Sequence, residues 1–299
     1  MDVSVVVITH NRPDRLRLVL AALAAQQGVA GGFEAVVVDD GSVVDLTSSL
    51  EGHGDLPIRL VRQRQTGCAG ARNTGIKASS AEIVLCIDDD VLFGTGFVAE
   101  HLDTHRRHGA AVVVGDRYNT YLADLTTPEN RVILAEATEG RWERLHRRSR
   151  RDYFAAQTLT LFDRDPRAQP IPWLCFVGRN VSFRRADADR VGGFDEGFQQ
   201  WGLEDLELGL RLHRAGVPFH YAPGARVYHL ETPLAADKLD GLKQSLRYFE
   251  TKHPGVESAT LGSFLFGECS LEQMAASVTA GRVVDVDPEQ ARTYFFTRR

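Results

Sequence analysis

Short runs of β-branched and other apolar residues recur through the first 115 residues, and they constrain the fold more than any other feature of the sequence. The runs show little alternation between apolar and polar positions, which is typical of strands buried on both faces of a parallel sheet. We therefore predict a mostly parallel central sheet. The five runs lie at residues 3–8, 35–38, 58–61, 83–87 and 111–114.

The segment between the first two runs has a helical pattern. Leu16, Val19 and Leu20 would share one face of a helix, and Pro13 suits its first turn. Strands that alternate with helices favour βαβ units and an open, Rossmann-like α/β sheet flanked by helices. Ligands of such sheets bind beyond the carboxyl ends of the strands. The segments that follow the runs and carry polar groups are residues 9–12, 39–42, 62–72 and 88–90.

The composition is that of a globular protein, with 43% hydrophobic and 25% charged residues in a chain of 299. The formal net charge of −5 argues against a nucleic-acid partner, because duplex-binding proteins usually carry a strong basic excess. The four cysteines form no C-x-x-C pair. Neither a zinc knuckle nor a disulfide framework is therefore supported, and we expect reduced thiols.

We expect no integral membrane segment. Residues 1–13 lack the basic region and cleavage site of a signal peptide. The longest mostly apolar stretch begins at Leu16, but polar residues such as Arg17 and Gln26 interrupt it, and it is too short to span a bilayer. We therefore expect a cytoplasmic protein that is peripheral to the membrane if its partner is lipid-linked. The sequence leaves the oligomeric state open, a homo-oligomer included.

Asp88, Asp89 and Asp90 follow directly on the run at 83–87 and form the sharpest polar feature. Adjacent like charges about 4 Å apart repel by about 4 kcal/mol at an effective dielectric constant of 20. Solvent could offset this repulsion at an open acidic turn. A divalent cation such as Mg²⁺ or Mn²⁺ could also offset it, because both favour carboxylate oxygen. The residues alone leave both interpretations open.

Two further segments carry groups suited to a nucleotide. Asp39 and Asp40 close the second run, where a carboxylate could accept from a base or a ribose, or could cap the next helix. The glycine-rich segment 67–75 contains Arg72. Its backbone amides and this guanidinium could bind phosphate, or its small residues could serve only close packing of a helix on the sheet.

Segment 201–205 places Trp201 beside the adjacent acids Glu204 and Asp205. A carboxylate base beside an aromatic platform for a sugar ring is one interpretation. Acids in the first turn of a helix are the other, because the helix dipole favours them there. The leucines at residues 203–212 fit a helical face, and Gly216 suits its end, so we predict a helix.

Together these segments resemble the inverting nucleotide-sugar glycosyltransferases of family 2, which have the GT-A fold. Each segment alone is weak, but the ordered set is specific and extends from residue 3 to about residue 230. The resemblance implies an α/β fold of GT-A type with acceptor-side helices. The segments that carry it are residues 5–12, 36–42, 70–75, 88–90, 178–183, 192–196 and 201–205.

The resemblance also implies site residues. Thr9 and Asp40 would hold the base, usually uracil, while Arg12 and Arg72 would face the nucleotide or its diphosphate. The full set implied for nucleotide binding is Thr9, Asn11, Arg12, Asp40, Arg72, Asp88 and Asp89.

Metal and catalytic positions follow from the same resemblance. Asp90 would ligate Mn²⁺ or Mg²⁺, with His229 at a position that ligates the metal in some relatives. Asp205 would be the base that deprotonates the acceptor hydroxyl. The residues implied for the acceptor or donor-sugar pocket are Gly178, Asn180, Trp201 and Glu204.

The implied reaction is transfer of a hexosyl or N-acetylhexosaminyl group from a nucleotide-sugar, usually a UDP-sugar. The acceptor would be a saccharide, a natural product or a lipid-linked molecule. Attack at an anomeric carbon needs a deprotonated acceptor and a stabilised diphosphate leaving group, which one carboxylate and a metal with arginines can supply. Paired glycosidase carboxylates would not account for a phosphate-and-metal site.

Rival classes lack their motifs. Residues 9–13 stand where a nicotinamide dehydrogenase needs G-x-G-x-x-G, and no G-x-x-x-x-G-K-[ST] occurs. A sugar-nucleotide nucleotidyltransferase would place a glycine-rich loop at Asn11 and Arg12. A catalytically silent nucleotide- or sugar-binding module is the alternative of a different class, and the acids implied in metal binding and catalysis argue against it.

The resemblance divides the chain into three parts. Residues 1–115 would be the nucleotide-sugar-binding half of a GT-A domain, residues 116–235 its acceptor-binding and catalytic half, and residues 236–299 a C-terminal helical extension with an irregular tail. Residues 116–175 are polar, and we expect helices and loops there. The basic segment 141–151 has six arginines. It could dock an anionic acceptor or membrane surface, but we favour a solvated helix face.

Overall fold

The five apolar runs form strands of one sheet in the computed structural model, which describes residues 1–122, 124–163, 169–231 and 238–284. Four shorter or more polar segments add strands that the runs do not predict. In chain order the strands are β1 (Val3–Thr9), β2 (Phe33–Asp40), β3 (Ile58–Gln63), β4 (Ile83–Asp88), β5 (Val91–Phe93), β6 (Val112–Thr120), β7 (Ser149–Arg151), β8 (Val181–Arg184) and β9 (Phe219–Leu230).

The sheet is mostly parallel, as predicted. Its order is β3-β2-β1-β4-β8-β6-β9-β5, with β7 paired to the outer part of β6. Strands β1 to β4 are parallel to one another, and β6 is parallel to β9. Strand β8 lies antiparallel between β4 and β6, so the two parallel groups run in the same direction. Their carboxyl ends therefore meet at one edge.

Helices cover both faces of the sheet. Pro13 opens the first of them, as predicted, and Ser270 and Gln273 form a capping box at the last. The segment after Leu203 is a helix, as predicted. The helices are α1 (Pro13–Ala24), α2 (Gly67–Ala78), α3 (Phe97–His108), α4 (Pro128–Thr138), α5 (Glu143–Arg147), α6 (Tyr153–Thr158), α7 (Arg185–Arg190), α8 (Glu204–Arg214), α9 (Lys238–Lys252), α10 (Val256–Leu265) and α11 (Leu271–Ala280).

Two hydrophobic cores explain why the strand sequences lack alternation. Val6 of β1 points into the core that contains Trp173 and the apolar faces of α2 and α8. Its neighbour Val5 points into the opposite core, which contains Leu20 and the apolar faces of α1 and α3. Both faces of the strand are buried, so apolar residues occupy most of its positions, and the polar Ser4 and Thr9 are hydrogen-bonded.

The second part of the chain contains more strand than we expected. Strand β6 continues to Thr120 and pairs with β7, which lies inside the basic segment. The expected boundary at 115 falls within β6, where the register with β9 shifts between Gly115 and Asp116. Helices α9 to α11 form the expected helical extension. The expected irregular tail at residues 285–299 lies outside the described residues.

Among the helices that the structure describes, none combines the length and the apolarity needed to cross a membrane.

Candidate functional site

Three strand ends bring the predicted polar groups together. Strand β1 lies between β2 and β4, with Thr9 opposite Asp39 and Ile8 opposite Asp88. The acidic run therefore starts beside the loop that follows β1. This adjacency is a direct result of the parallel register, because the carboxyl ends of parallel strands share one edge.

Asp89 and Asp90 are buried, and side chains from the β1 loop hold them. Thr9 Oγ1 donates to Asp89 Oδ2 at 2.7 Å. Arg12 Nη1 donates to Asp90 Oδ2 at 2.8 Å and to Asp89 Oδ1 at 3.3 Å. Burial and the charge of Asp90 raise the pKa of Asp89 to about 6, although Thr9 and Arg12 act in the opposite direction. The repulsion within the acidic run is thus offset largely by the Arg12 guanidinium and by the raised pKa of Asp89.

Asp90 also faces a histidine from the far side of the sheet. Strand β9 places His229 opposite Val91, and His229 Nε2 lies 3.3 Å from Asp90 Oδ1. Glu231 lies 3.1 Å from the other ring nitrogen. Burial alone raises the pKa of Asp90 and lowers that of His229. Their mutual contact outweighs burial with help from nearby charges, so the pKa of Asp90 falls to about 2 and that of His229 rises.

Asp90 and His229 offer a carboxylate oxygen and an imidazole nitrogen to a metal ion. Apart from this 3.3 Å contact with His229 Nε2, Asp90 Oδ1 is buried without a hydrogen-bond partner among the described residues, so a cation could lie between this oxygen and the imidazole nitrogen. No group of three or more histidine, cysteine or acidic residues in the described ranges could hold an ion by itself. The pair fits Mn²⁺ or Mg²⁺ when substrate phosphate and water complete the coordination, as is common for Mg²⁺ sites.

Arg72 joins the acidic run to the helix that carries the second acidic pair. Its side chain is buried, and it donates to Asp88 Oδ1 at 3.0 Å and to Glu204 Oε1 at 2.9 Å. The guanidinium also lies over the ring of Phe194, 5.4 Å from the centroid. Gly178 makes room for it, since a Cβ there would lie 2.4 Å from Arg72 Cζ. The glycine-rich segment also serves close packing, because Gly75 lies against Val6.

The start of α8 presents the two acids differently. Leu203 has a positive φ of 73° at the N-cap, an uncommon conformation for a branched residue that is typical of functional turns. Glu204 is buried against Arg72, and burial together with the Asp205 charge raises its pKa. Asp205 is half-buried and, within the described ranges, accepts only from backbone, from Gly178 N at 3.2 Å and from Leu206 N at 2.8 Å.

Trp201 lies before these acids and is 44% exposed. Lys238 Nζ lies 5.0 Å from the centre of its ring, which is within the range of a cation–π interaction. An exposed aromatic surface next to carboxylates is suited to a sugar ring, and the predicted pocket role of Trp201 stays a prediction.

The side chains of Asn11 and Asp40 accept hydrogen bonds from backbone N–H groups of the protein. Fewer of their lone pairs are therefore left to bind a nucleotide. Asn11 has a positive φ of 57°, and its Oδ1 accepts from Val43 N, so it ties the β1 loop to the β2 loop. Asp40 accepts from Thr66 N at 2.8 Å and from Gly67 N at 2.9 Å, which caps the start of α2. Capping of a helix was one of the two interpretations of Asp40, and its predicted nucleotide role stays a prediction.

Asn180 is used within the protein, and its predicted role in the sugar pocket stays a prediction. Its side chain is fully buried. The amide nitrogen donates to the carbonyls of Asp116 and Ala225, and the amide oxygen pairs with His101 Nε2. Asn180 thus joins β6 to β9 at the register shift, and its hydrogen-bonding groups have partners within the protein.

Most of the basic segment 141–151 is paired with acids. Arg141 pairs with Glu139, Arg144 with Glu136, Arg148 with Glu129 and Arg151 with Asp116. The segment forms α5 and β7 rather than one helix. These pairs favour a solvated surface over a docking site for an anion, in line with the interpretation that we preferred.

Several residues near the site were not predicted from the sequence. Arg15 Nη1 donates to the carbonyl of Leu230 and lies 3.5 Å from Asp90 Oδ2, one helical turn after Arg12. That spacing of three was a signal that could have been used. Arg117 and Arg179 approach from β6 and from the loop before β8, and no local pattern in the sequence indicates that they meet.

Comparisons with known proteins agree with this geometry. The model of a family described as glycosyl transferase family 2 matches residues 4–191, and one described as the N-terminal domain of galactosyltransferase matches residues 165–233. A validoxylamine A glucosyltransferase from Streptomyces hygroscopicus is 35% identical, over 85% of this chain and 61% of its own length. A chondroitin synthase from Escherichia coli is 31% identical, over 86% of this chain and 40% of its own length.

Solved structures show the same fold at low sequence identity. The crystal structure of Staphylococcus aureus TarS 1–349 has a TM-score of 0.59 at 17% identity, over 84% of this chain and 65% of that one. The mannosyltransferase PcManGT from Pyrobaculum calidifontis, in complex with GDP-Man and Mn²⁺, has a TM-score of 0.56 at 21% identity, over 84% and 63%. The expected GT-A fold is confirmed.

The match extends over most of this chain but not over most of each relative. The chain spans about three fifths of the length of the two validoxylamine A glucosyltransferases that it matches. The family model covers well over half of the 299 residues and includes the segments that end β1, β2 and β4. This chain belongs to glycosyl transferase family 2.

Proposed function

We propose that the chain transfers a sugar from a nucleotide-sugar, with UDP as the nucleotide, to an acceptor hydroxyl. The observation that carries the proposal is the buried bridge from Asp88 through Arg72 to Glu204. It joins the strand edge where α/β sheets bind nucleotides to the helix with the half-buried acid Asp205. Donor and acceptor groups would therefore meet at one place.

The donor side would bind the nucleotide and its diphosphate. Thr9 and the Asp88 carboxylate lie at neighbouring strand ends, where a base and a ribose can be reached together. Arg12 is 43% exposed on its side chain, so part of its guanidinium can face a phosphate while the rest holds Asp90. The titles of two TarS structures name complexes with UDP and UDP-GlcNAc, which supports UDP as the nucleotide here.

Asp90 and His229 would hold Mn²⁺ or Mg²⁺. A bound divalent ion would supply charge that stabilises the leaving diphosphate. Neighbouring side chains would hold these two ligands in place. Glu231 contacts the imidazole of His229, and Arg12 and Arg15 both contact the other carboxylate oxygen of Asp90. The solved complex of the mannosyltransferase with Mn²⁺ supports this assignment.

Asp205 would be the base that takes the proton of the acceptor hydroxyl. It makes no salt bridge among the described residues, so it can gain a proton without breaking one. Glu204 is held by Arg72 and is less suited to that role. One base and one displacement of the diphosphate would invert the anomeric carbon.

The acceptor would be a saccharide or a related natural product. The relatives named as a glucosyltransferase of validoxylamine A and as a chondroitin synthase support this class. The exposed ring of Trp201 supports it as well, because aromatic faces suit sugar rings. Transfer of a hexosyl or N-acetylhexosaminyl group is consistent with both names.

Calorimetry with UDP tests the donor half of the proposal. UDP should bind more tightly in Mn²⁺ than in EDTA, and Asp90→Ala should lower the affinity in Mn²⁺ by about tenfold or more. The exposed Asp55→Ala is the matched control and should leave the affinity unchanged. Equal affinity in Mn²⁺ and EDTA would contradict the metal role. Release of UDP from a UDP-sugar would then separate an enzyme from a silent binding module.

A further inference from the structure

Arg117 of β6 is a buried cation that has no hydrogen-bond partner in the part of the chain that the structure describes. Its residue exposure is 0%, and within the described residues none of its three guanidinium nitrogens is hydrogen-bonded. The carboxylate paired with it, Asp152 Oδ1, lies 3.8 Å away. A guanidinium has five N–H donors, and buried donors left unmade are costly. The described residues therefore leave these donors without an acceptor.

Arg179 competes for the same carboxylate. Its Nη2 donates to Asp152 Oδ2 at 3.3 Å, and its buried Nε also has no hydrogen-bond partner among the described residues. Asp152 already accepts from Ala155 N and Asn119 Nδ2. Among the described residues, Asp116 is the only other acid at this end of β6 that forms an ion pair, and its partner is Arg151. One occupied carboxylate thus serves two guanidiniums.

This arginine pair (Arg117 and Arg179) lies next to the proposed reaction centre. Arg179 directly follows Gly178, whose N–H donates to Asp205. The backbone of Arg179 is therefore next to the residue that contacts the proposed base. The side chain of Arg179 is 23% exposed, so a ligand can reach it without unfolding.

Burial lowers the pKa of the Arg117 guanidinium, and the nearby charge of Arg179 lowers it further, against the attraction of Asp152. Two like charges placed together in a buried region are unfavourable unless something compensates them. A negatively charged ligand at Arg179 would relieve this repulsion and supply the acceptor atoms that both side chains lack.

We propose that Arg179 binds an oxyanion of a substrate, with Arg117 behind it as a positioning residue. The oxyanion has two sources under the proposed function on which this inference rests. It is either the diphosphate of the donor or the carboxylate of an acidic acceptor sugar. Both present the planar or forked oxygens that guanidinium groups bind in pairs.

Thermal shift and calorimetry in EDTA test the site with inorganic pyrophosphate and with glucuronate, and glucose serves as the neutral probe. The EDTA removes any contribution of a metal, so the result does not depend on Asp90. At least one anion should stabilise the wild type, and Arg179→Gln should weaken its affinity about ten- to a hundredfold. Arg184→Gln is the matched control, since Arg184 lies at the opposite end of β8 and pairs with Glu82.

Arg117→Met separates positioning from support of the fold. Removing a buried, uncompensated cation should leave the melting temperature of the ligand-free protein unchanged or raised, because apolar replacements of buried charges are often neutral or stabilising. The same variant should lose anion affinity. A melting temperature that falls with anion affinity intact would assign Arg117 a structural role only and overturn its part of the proposal.

The two anions distinguish the sources. Loss of pyrophosphate binding in Arg179→Gln assigns the site to the donor, and loss of glucuronate binding assigns it to an acidic acceptor. If neither anion stabilises the wild type, or if Arg179→Gln binds both as the wild type does, the oxyanion site is wrong. UDP binding that depends on Mn²⁺ and Asp90 would then still stand, so the failure would not extend to the proposed function.

Discussion

The carboxylates after β4 and those at the start of α8 are only one arginine apart, yet their environments differ. Asp89 and Asp90 are buried and held by charged side chains, with Arg12 on both and His229 on Asp90. Asp205 is half-buried and held by two backbone N–H groups. The first environment pairs its acids with charged side chains, and among the described residues the second gives a carboxylate backbone partners only. Neighbouring acids thus acquire different uses from their partners.

Replacing Asp205 gives the largest effect that this comparison predicts. Asp205→Asn keeps the shape and one of the two accepted hydrogen bonds but removes the proton acceptor, so transfer should fall about 10²- to 10⁴-fold. UDP affinity should stay within a few fold, because the base acts on the acceptor and not on the nucleotide. Steady-state transfer and UDP calorimetry measure the two quantities. Near-normal transfer by this variant would remove Asp205 from the role of base.

Glu204→Gln should instead affect stability. It leaves Arg72, which is buried, with Asp88 as its one charged partner, and breaking a buried pair without removing the cation is unfavourable. The retained amide oxygen softens the loss, so we expect about 1–3 kcal/mol of destabilisation, measured by denaturant unfolding. Asp103→Asn is the control, because its pair with Arg106 is exposed and worth about 0–1 kcal/mol. Full stability with lost transfer would reverse the roles of the two acids.

The sequence predicted the cluster at the ends of β1 and β4 better than the arginine pair, for a physical reason. The acidic run and Thr9 sit at the ends of apolar runs, and parallel register alone brings such ends together. Arg117 and Arg179 meet through the antiparallel insertion of β8 beside β6, which no local pattern encodes. Tertiary contacts of that kind have to be seen in the structure.

Motif matching also names residues without saying which way they point. Asn180 lies in a matching segment, but its amide nitrogen donates to one carbonyl of β6 and one of β9. Asp40 lies at a strand end suited to a nucleotide, but it caps α2. The sequence gives the chemistry of these side chains. The structure shows that backbone groups already use much of it.

The smallest effect concerns the charge of Asp89, and it sharpens the comparison through pH. Asp89 has a pKa of about 6 in the folded protein, whereas an unfolded aspartate has a pKa of about 3.9. The folded state therefore binds the proton more tightly. This contribution to stability is fully present below about pH 4 and is lost as the pH rises through about 6. The donor side is thus stabilised by protonation, although its charge is what the proposed function needs.

Asp89→Asn removes this titration and should make the stability less dependent on pH. The free energy of unfolding of the variant relative to the wild type should rise by about 1–2 kcal/mol between pH 4 and pH 7.5, which corresponds to a few degrees in melting temperature. Asp55→Asn on an exposed turn is the control and should follow the wild type at both pH values. A difference that stays constant with pH would mean that Arg12 and Thr9 fully offset the rise in the pKa of Asp89 that burial and Asp90 cause. In that case both acids of the donor side would carry their charge at neutral pH, and Asp205 would be set apart by its exposure alone.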